Sequence, residues 1–234
     1  MKIAGVQKNS FVDFPGKVAM VLFTPGCNLD CFYCHNRSII REDGLRSLWD
    51  PEEVFSLLGS RKKFLDAVVI SGGEPTLQKG LEEFIGRIKE LGFLVKLDTN
   101  GTRPGVVERL LSLGLIDYIA MDIKAPLQRY EEICGVAVDL SGIRESVDLL
   151  LKSRVSYEFR TTLVPQLKEE DVVAMAKWIQ GAKRYILQQY KRPPLESETV
   201  DVRIVQAPHS PSFIRKMAET AGEWVEYCGT RGVA

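Results

Sequence analysis

The sequence predicts an α/β chain built on a parallel sheet, and three observations carry that expectation. Short apolar runs of strand length recur, most of them ended by glycine, proline, asparagine or aspartate. Between them lie segments whose apolar residues repeat at helical spacing. Strand and helix alternate about six times, the pattern of parallel strands joined by right-handed crossovers. Six such units are fewer than the eight of a closed barrel, so an open doubly wound sheet and a partial barrel both fit.

Residues 18–23 read as a buried strand, because the run is short, apolar and stopped by Pro25-Gly26. A helix starts at 50–53: Asp50 is a good N-cap, Pro51 sits at N1 and Glu53 at N3. Val54, Leu57 and Leu58 share its apolar face. Residues 66–71 form the second strand, followed by Gly72-Gly73-Glu74-Pro75. Residues 78–91 form a helix with Leu81, Phe84, Ile85 and Ile88 as its core stripe and Gly92 at its end. The third strand, 93–97, ends in Asp98-Thr99-Asn100-Gly101. A helix over 103–113 stops at Gly114, and the fourth strand, 117–121, ends in Asp122-Ile123-Lys124. Residues 125–142 are less regular, and 143–153 are helical. The fifth strand is 156–163, a helix spans 168–180 and the sixth strand is 185–189. Residues 211–221 form a last helix, 224–228 a short final strand, and 200–205 are read as extended.

The chain has 234 residues, 45% of them hydrophobic, enough for one domain with a sizeable core. Positive and negative residues balance at 31 each. That leaves no global electrostatic footprint for nucleic acid or an anionic membrane. Residues 1–9 lack the apolar centre of a signal peptide, and the 18–23 run is too short to span a bilayer. Five cysteines, three of them clustered, fit a reducing compartment better than a disulfide scaffold, so a cytoplasmic location is expected.

The cluster is Cys27, Cys31 and Cys34, a C-x3-C-x2-C within eight residues. Thiolates are soft ligands for iron–sulfur clusters, zinc and copper(I). Three are one short of the usual four on a cubane cluster or structural zinc, which leaves a metal position open to a small molecule. Two plainer readings compete. The same spacing could be one buried face of a helix, although Pro25-Gly26, Asn28 and Asp30 favour a loop. A zinc loop would need a fourth ligand; His35 is available but lies beside Cys34, which makes a shared tetrahedral site awkward.

The spacing, with aromatic Tyr33 before the last cysteine, resembles the radical S-adenosylmethionine (SAM) enzymes. His35-Asn36 and the lead-in Ser10-Phe11-Val12-Asp13-Phe14-Pro15-Gly16-Lys17 are similar to the activating-enzyme branch, which installs glycyl radicals on partner enzymes. The resemblance implies a partial (β/α)6 barrel of the radical SAM type, open on one side to admit a macromolecular substrate. It implies a single domain over 1–234, with a lead-in at 1–17, a barrel core at 18–190 and a C-terminal extension at 191–234.

Motif placement agrees with that expectation, since sites in parallel α/β folds gather at the carboxyl ends of the strands. The resemblance implies that Cys27, Cys31 and Cys34 hold one [4Fe–4S] cluster and that SAM takes the remaining iron through its amine and carboxylate. It puts Gly72, Gly73 and Glu74 at the SAM amino group, Tyr33 beside the adenine and His35 in backbone contacts. Asp122 and Lys124 become SAM neighbours, and Arg160 reaches the SAM carboxylate or ribose. Asp98, Thr99, Met121 and Asp122 match a monovalent-cation site in relatives. Plainer readings stand beside each of these: a turn with a helix-start Glu-Pro for Gly72–Pro75, loop capping for Asp98 and Asn100, and an internal salt bridge with Glu158 or another acid for Arg160. The sixth strand ends in Gln188-Gln189-Tyr190 where some relatives place a histidine. Cys134 and Cys228 lie outside any paired spacing and read as structural thiols. Residues 36–65 carry no cysteine, so a second cluster is not expected there.

The function implied is a radical SAM oxidoreductase. One electron from the reduced cluster splits SAM into methionine and a 5′-deoxyadenosyl radical, which takes a hydrogen from a backbone glycine of the partner. The compact length and lead-in look most like activating proteins of anaerobic ribonucleoside-triphosphate reductase, with flavodoxin or ferredoxin as electron donor. Activases of pyruvate formate-lyase-like enzymes are the alternative within the class. The small radical SAM synthase of deazaguanine biosynthesis is a third, disfavoured by His35-Asn36. A zinc-stabilised binding module without turnover is the alternative outside the class.

Overall fold

The structure, a computed structural model, describes residues 1–40, 47–193 and 201–233. Its strands are β1 (Gly5–Ser10), β2 (Ala19–Thr24), β3 (Ala67–Gly72), β4 (Leu94–Thr99), β5 (Tyr118–Asp122), β6 (Ser156–Leu163), β7 (Tyr185–Gln189) and β8 (Cys228–Arg231). The helices are α1 (Arg37–Ile40), α2 (Pro51–Ser60), α3 (Leu81–Glu90), α4 (Pro104–Ser112), α5 (Tyr130–Cys134), α6 (Leu140–Leu151), α7 (Glu169–Trp178) and α8 (Pro211–Ala221). The strand order in the sheet is the chain order, β1 to β8, with β1 and β8 at its two ends. Among the described residues no helix is long and apolar enough to cross a membrane.

The chain divides into two compact units. The first comprises residues 1–28, 36–120 and 154–156. Its core is aliphatic and aromatic: Phe14, Ala19, Val21, Ala67, Val69 and Tyr118 pack together, with Phe23 and Leu94 against them. β2, β3 and β4 run parallel, with Ala19 opposite Ala67 and Ala67 opposite Leu94. Strand ends are fixed by side chains as well as by the ladder. Asp117 accepts the Val95 backbone N–H at 2.7 Å and holds Lys89 of α3 at 2.6 Å. Asp50 caps α2 as expected, accepting from the Glu52 N–H at 2.9 Å.

The second unit comprises residues 29–35, 121–153 and 157–234. Here β6, β7 and β8 run parallel, with Phe159 opposite Tyr185 and Tyr185 opposite Cys228. α8 is capped by Ser210, whose hydroxyl accepts from the Phe213 N–H at 3.2 Å. Inside this unit Thr161 donates to the Ile123 carbonyl at 2.7 Å and bonds the Tyr185 hydroxyl at 2.8 Å. A buried polar strand residue is thereby satisfied.

Several expectations need correction. β1 is a strand that the sequence hides, because only Val6 in Gly5–Ser10 is a large apolar residue. It is held by antiparallel pairing to β2, Gly5 opposite Phe23, with a bulge between Gln7 and Ser10. The final strand is Cys228–Arg231, not 224–228, because its ladder to β7 outweighs the apolar alternation just before it. Residues 201–205 form a turn, closed by the Ile204 N–H donating to the Asp201 carbonyl at 2.9 Å, whereas Val200 lies outside the described residues. α3 starts at Leu81 rather than 78, after a short 3-10 turn at Pro75–Leu77 and a left-handed Gly80. α6 starts at Leu140 rather than 143, because Asp139 caps it and accepts from the Ser141 N–H. The irregular 125–142 segment contains α5.

Candidate functional site

In the first unit the carboxyl ends of β2 and β3 are zipped together by backbone. The Gly73 N–H donates to the Thr24 carbonyl at 2.8 Å and the Glu74 N–H to the Gly26 carbonyl at 2.8 Å. This packing is what demands glycine. A Cβ on Gly73 would lie 1.8 Å from the Gly26 oxygen, and Gly72 has φ 116° with its Cβ position 2.3 Å from the Thr24 nitrogen. The close approach these glycines permit is to the entrance of the cysteine loop. Asn36 adds a further tie, its amide donating to the Gly72 carbonyl at 2.7 Å.

Glu74 is fully buried and spends its carboxylate within the chain. Oε1 accepts from the Thr76 N–H and hydroxyl at 3.0 and 2.5 Å and from the Thr99 hydroxyl at 2.8 Å. Oε2 accepts from the Asn100 N–H at 2.6 Å. Burial raises its pKa, and these four donors oppose the rise. Glu74 is thus the clamp between the Gly72–Pro75 turn and the Asp98–Gly101 turn. Asn100, so positioned, turns its amide toward the Cys27 sulfur at 3.9 Å and the Asn28 side chain at 2.9 Å. Asp98 accepts from the Ser71 hydroxyl at 3.1 Å and pairs with Lys96 at 2.5 Å. Lys96 is 1% exposed, a buried cation on β4 that the sequence reading missed. A lysine among Leu94, Val95 and Leu97 looks like the polar position of a half-exposed strand, and only the neighbouring Asp98 hints otherwise.

In the second unit Cys31, Phe32 and Tyr33 are buried, and the Cys34 N–H closes a turn onto the Cys31 carbonyl at 3.0 Å. Asp122 is the hub of the charges here. Its Oδ1 accepts from Arg160 Nε and its Oδ2 from Lys124 Nζ, both at 2.9 Å. Burial works to raise the Asp122 pKa, but Arg160 and Lys124 hold it well below the ordinary carboxylate range. Lys124 shows the mirror image: burial opposes its charge, and Asp122 still holds its pKa well above the ordinary value. Arg160 thus pairs with Asp122, and Glu158, fully buried, accepts from Arg231 at 3.1 Å.

Tyr33 lies among these groups, its pKa raised by burial and lowered by Lys124. Among the described residues its buried hydroxyl has no hydrogen-bond partner, a cost of about 1–3 kcal/mol unless something else meets it. The His35 ring donates from Nε2 to the Lys191 carbonyl at 2.9 Å, a link to the C-terminal segment. That segment also places the Arg203 guanidinium over the Phe32 ring at 4.3 Å. At the end of β7, Gln189 donates to the His209 carbonyl at 3.2 Å, and His209 in turn bonds the Leu167 carbonyl.

α5 was invisible in the sequence reading yet carries two residues of this site. Tyr130 and Cys134, four apart, share a helix face. The Tyr130 hydroxyl accepts from the Lys124 N–H at 3.1 Å. Cys134 is fully buried, and its side chain leads the effects that bring the Cys31 thiol down to about 7. No local spacing signals Cys134, since it meets Cys31 only through tertiary packing. All five cysteines are thiols. Among the described residues no three His, Cys, Asp or Glu side chains are grouped around a position for a single metal ion. A four-iron cluster is less demanding in this respect, since each thiolate takes a different iron.

Known proteins resemble this chain as follows. The sequence profile of the Radical SAM superfamily matches residues 21–179. A Methanocaldococcus jannaschii protein, named as a candidate glycyl-radical enzyme activating enzyme, is 36% identical over 230 residues, covering 96% of this chain and 93% of that protein. A Saccharolobus solfataricus protein named as a probable GTP 3′,8-cyclase is 31% identical over 135 residues, 55% of this chain and 43% of its own length. Among solved structures, Streptococcus suis SuiB bound to S-adenosylmethionine superposes with a TM-score of 0.67 at 15% identity, over 91% of this chain and 52% of SuiB. The AdoMet-bound enzyme anSMEcpe superposes at 0.61 with 18% identity, over 89% of this chain and 61% of that one. The chain therefore spans about half the length of SuiB, and these two likenesses bear on fold alone. They agree with an α/β partial barrel whose sheet is open. With a profile match over most of its length, this chain belongs to the Radical SAM superfamily, oxidoreductases that work with a [4Fe–4S] cluster and S-adenosylmethionine.

Proposed function

We propose that this protein is a radical SAM activase that generates a glycyl radical on a partner enzyme. The observation that carries the reading is the 36% identity to a relative so named, over 96% of this chain. A likeness of that extent includes the lead-in and the C-terminal segment as well as the cysteine loop.

The residues present fit the cofactors. Three thiolates in one loop suit an iron–sulfur cluster with an open coordination position. The buried Tyr33 hydroxyl beside Cys31 and Lys124 meets no acceptor among the described residues and suits one supplied by a bound group. We assign Cys27, Cys31 and Cys34 as the cluster ligands. When bound, the cluster and SAM together supply a 5′-deoxyadenosyl radical by one-electron cleavage of the sulfonium.

The chain's own residues then have distinct tasks. Arg160 and Lys124 offer positive charge to the SAM carboxylate, and Asp122 holds both cations in place. Tyr33 borders the adenine from the cysteine loop. Gly72 and Gly73 present backbone at the β3 end, and Glu74 fixes the turns that orient Asn100 toward Cys27. His35 anchors the loop to the C-terminal segment. We do not extend the proposal to a monovalent cation at Asp98, Thr99, Met121 and Asp122. Asp98 already holds Lys96, and Asp122 already holds Lys124 and Arg160.

We take residues 1–234 as one functional radical SAM domain working in the cytoplasm. The proposed partner is anaerobic ribonucleoside-triphosphate reductase, with reduced flavodoxin or ferredoxin as donor. The experiment is anaerobic mixing of the reconstituted protein, SAM and dithionite with candidate glycyl-radical enzymes. A glycyl doublet in the electron paramagnetic resonance spectrum of the reductase is expected. A doublet only on a pyruvate formate-lyase-like enzyme would move the partner. No doublet on any of them, with SAM cleavage intact, would reject the activase reading.

A further inference from the structure

We propose that Lys96 is a positioning residue, a tethered cation that holds the Asp98 carboxylate near the end of β4, so that this strand end needs no bound monovalent ion. This role goes beyond the activase reading and stands whichever partner is activated.

The placement of Lys96 is the first ground. Alternation along β4 puts Leu94, Lys96 and Asp98 on one face. Leu94 packs against the apolar cluster that contains Val69 and Tyr118, and Val69 stands opposite Lys96 in the β3–β4 ladder. The Lys96 side chain is 1% exposed. An isolated ammonium in such surroundings is costly, and so is an isolated carboxylate.

The pairing is the second ground. Lys96 Nζ meets Asp98 Oδ1 at 2.5 Å, and the Asp98 side chain is 13% exposed. The same Nζ lies 6.0 Å from the centre of the Tyr118 ring, which adds a weaker attraction. The third ground is what Asp98 holds in turn. The backbone ladder between β3 and β4 runs to Ile70 opposite Leu97. One residue further on, side chains take over: the Ser71 hydroxyl donates to Asp98 Oδ2 at 3.1 Å, and the Ser71 carbonyl accepts from the Thr24 hydroxyl at 3.1 Å. The charge pair thus ties together the ends of β4, β3 and β2, beside Gly72 and the turn that carries Asn100. A carboxylate fixed there needs a positive charge fixed beside it. A bound ion could supply that charge, but Lys96 supplies it covalently and at any salt concentration. Without the ammonium, a carboxylate and a hydroxyl would face the vacated space, and oxygen ligands of this kind suit a hard cation.

The test is thermal unfolding before iron is added, in sodium, potassium and choline chlorides at equal concentration. It compares wild type, Lys96→Met and the double variant Lys96→Met/Asp98→Asn. The three salts screen alike, but choline is too bulky to replace an ammonium. Lys96→Met, with Asp98 deprived of its cation, should unfold roughly 5 °C or more below wild type in choline. Sodium or potassium should restore much of that loss along a saturable curve. Wild type and the double variant should respond alike to the three salts. A wild type stabilised by sodium or potassium beyond the double variant would overturn the proposal. So would a Lys96→Met variant that neither ion rescues, since the loss of a packed side-chain stem is blind to the ion. Should Lys96→Met fail to fold in every salt, the double variant decides. A folded double variant supports a charge-pairing task, and an unfolded one marks stem packing and overturns the proposal. After reconstitution, SAM affinity should be equal in the three salts for wild type. For Lys96→Met it should weaken several-fold in choline and return in sodium or potassium; wild-type affinity of this variant in choline would overturn the positioning role.

Discussion

At the scale of single residues, the site is governed by two kinds of crowding. The first is steric. Gly73→Ala places a methyl group 1.8 Å from the Gly26 oxygen, and neither backbone segment can yield without breaking the hydrogen bonds between them. Overpacking of this kind costs about 1–3 kcal/mol or more. The variant should show a lower denaturant midpoint and poor iron uptake; a wild-type midpoint would mean that the turn is looser than described. The second is electrostatic. Asp122 has its pKa depressed below the ordinary 3.8. Its ionised form is therefore favoured by folding, and the stability it contributes is present above the ordinary value and lost as pH falls below it. Wild-type stability should drop on acidification through that window, and Asp122→Asn should flatten part of the drop. At neutral pH the same variant leaves Arg160 and Lys124 without their shared anion, a loss on the order of 3 kcal/mol. Chemical denaturation at a series of pH values checks both statements.

At the scale of elements, the strands with apolar sequences were legible and the polar ones were not. β2 through β7 announce themselves by runs such as Ala67-Val68-Val69-Ile70, stopped by glycine, and their expected bounds lie close to those observed. β1 and β8 are edge strands of Gly-Val-Gln-Lys-Asn-Ser and Cys-Gly-Thr-Arg, stabilised by pairing to a neighbour and not by their own pattern. The same distinction holds within the site. The cysteine loop, Gly72–Glu74, Asp122, Lys124 and Arg160 were legible because motif spacing and strand ends mark them. Lys96, Cys134 and Arg203 were not, since each acquires its meaning from a tertiary neighbour: Asp98, Cys31 and Phe32. Glu74 was legible as important, but its geometry gives it a further task, clamping one strand end to the next. Glu74→Ala strands the buried hydroxyls and N–H groups of Thr76, Thr99 and Asn100, at about 1–3 kcal/mol for each donor left unsatisfied. We expect the variant to lose stability by several kcal/mol, and hydrogen exchange at Asn100 to quicken. Unchanged protection at Asn100 would show that the clamp is dispensable.

At the scale of the whole molecule, a fold is joined to a chemistry. The open α/β sheet collects its polar residues at strand ends, and the superfamily supplies the cofactor logic. The likeness to the archaeal activase spans nearly all of this chain, whereas the likeness to the cyclase spans little more than half of it. That contrast is why a protein substrate is proposed here over a nucleotide. The central claim is that Cys27, Cys31 and Cys34 hold a cluster that cleaves SAM. It is tested most directly by anaerobic reconstitution with iron and sulfide, followed by dithionite and SAM. About four iron and four sulfide per chain are predicted, with methionine and 5′-deoxyadenosine formed in equal amounts and abolished by Cys31→Ala. Zinc in place of iron and sulfide, or undiminished 5′-deoxyadenosine from Cys31→Ala, would contradict the account.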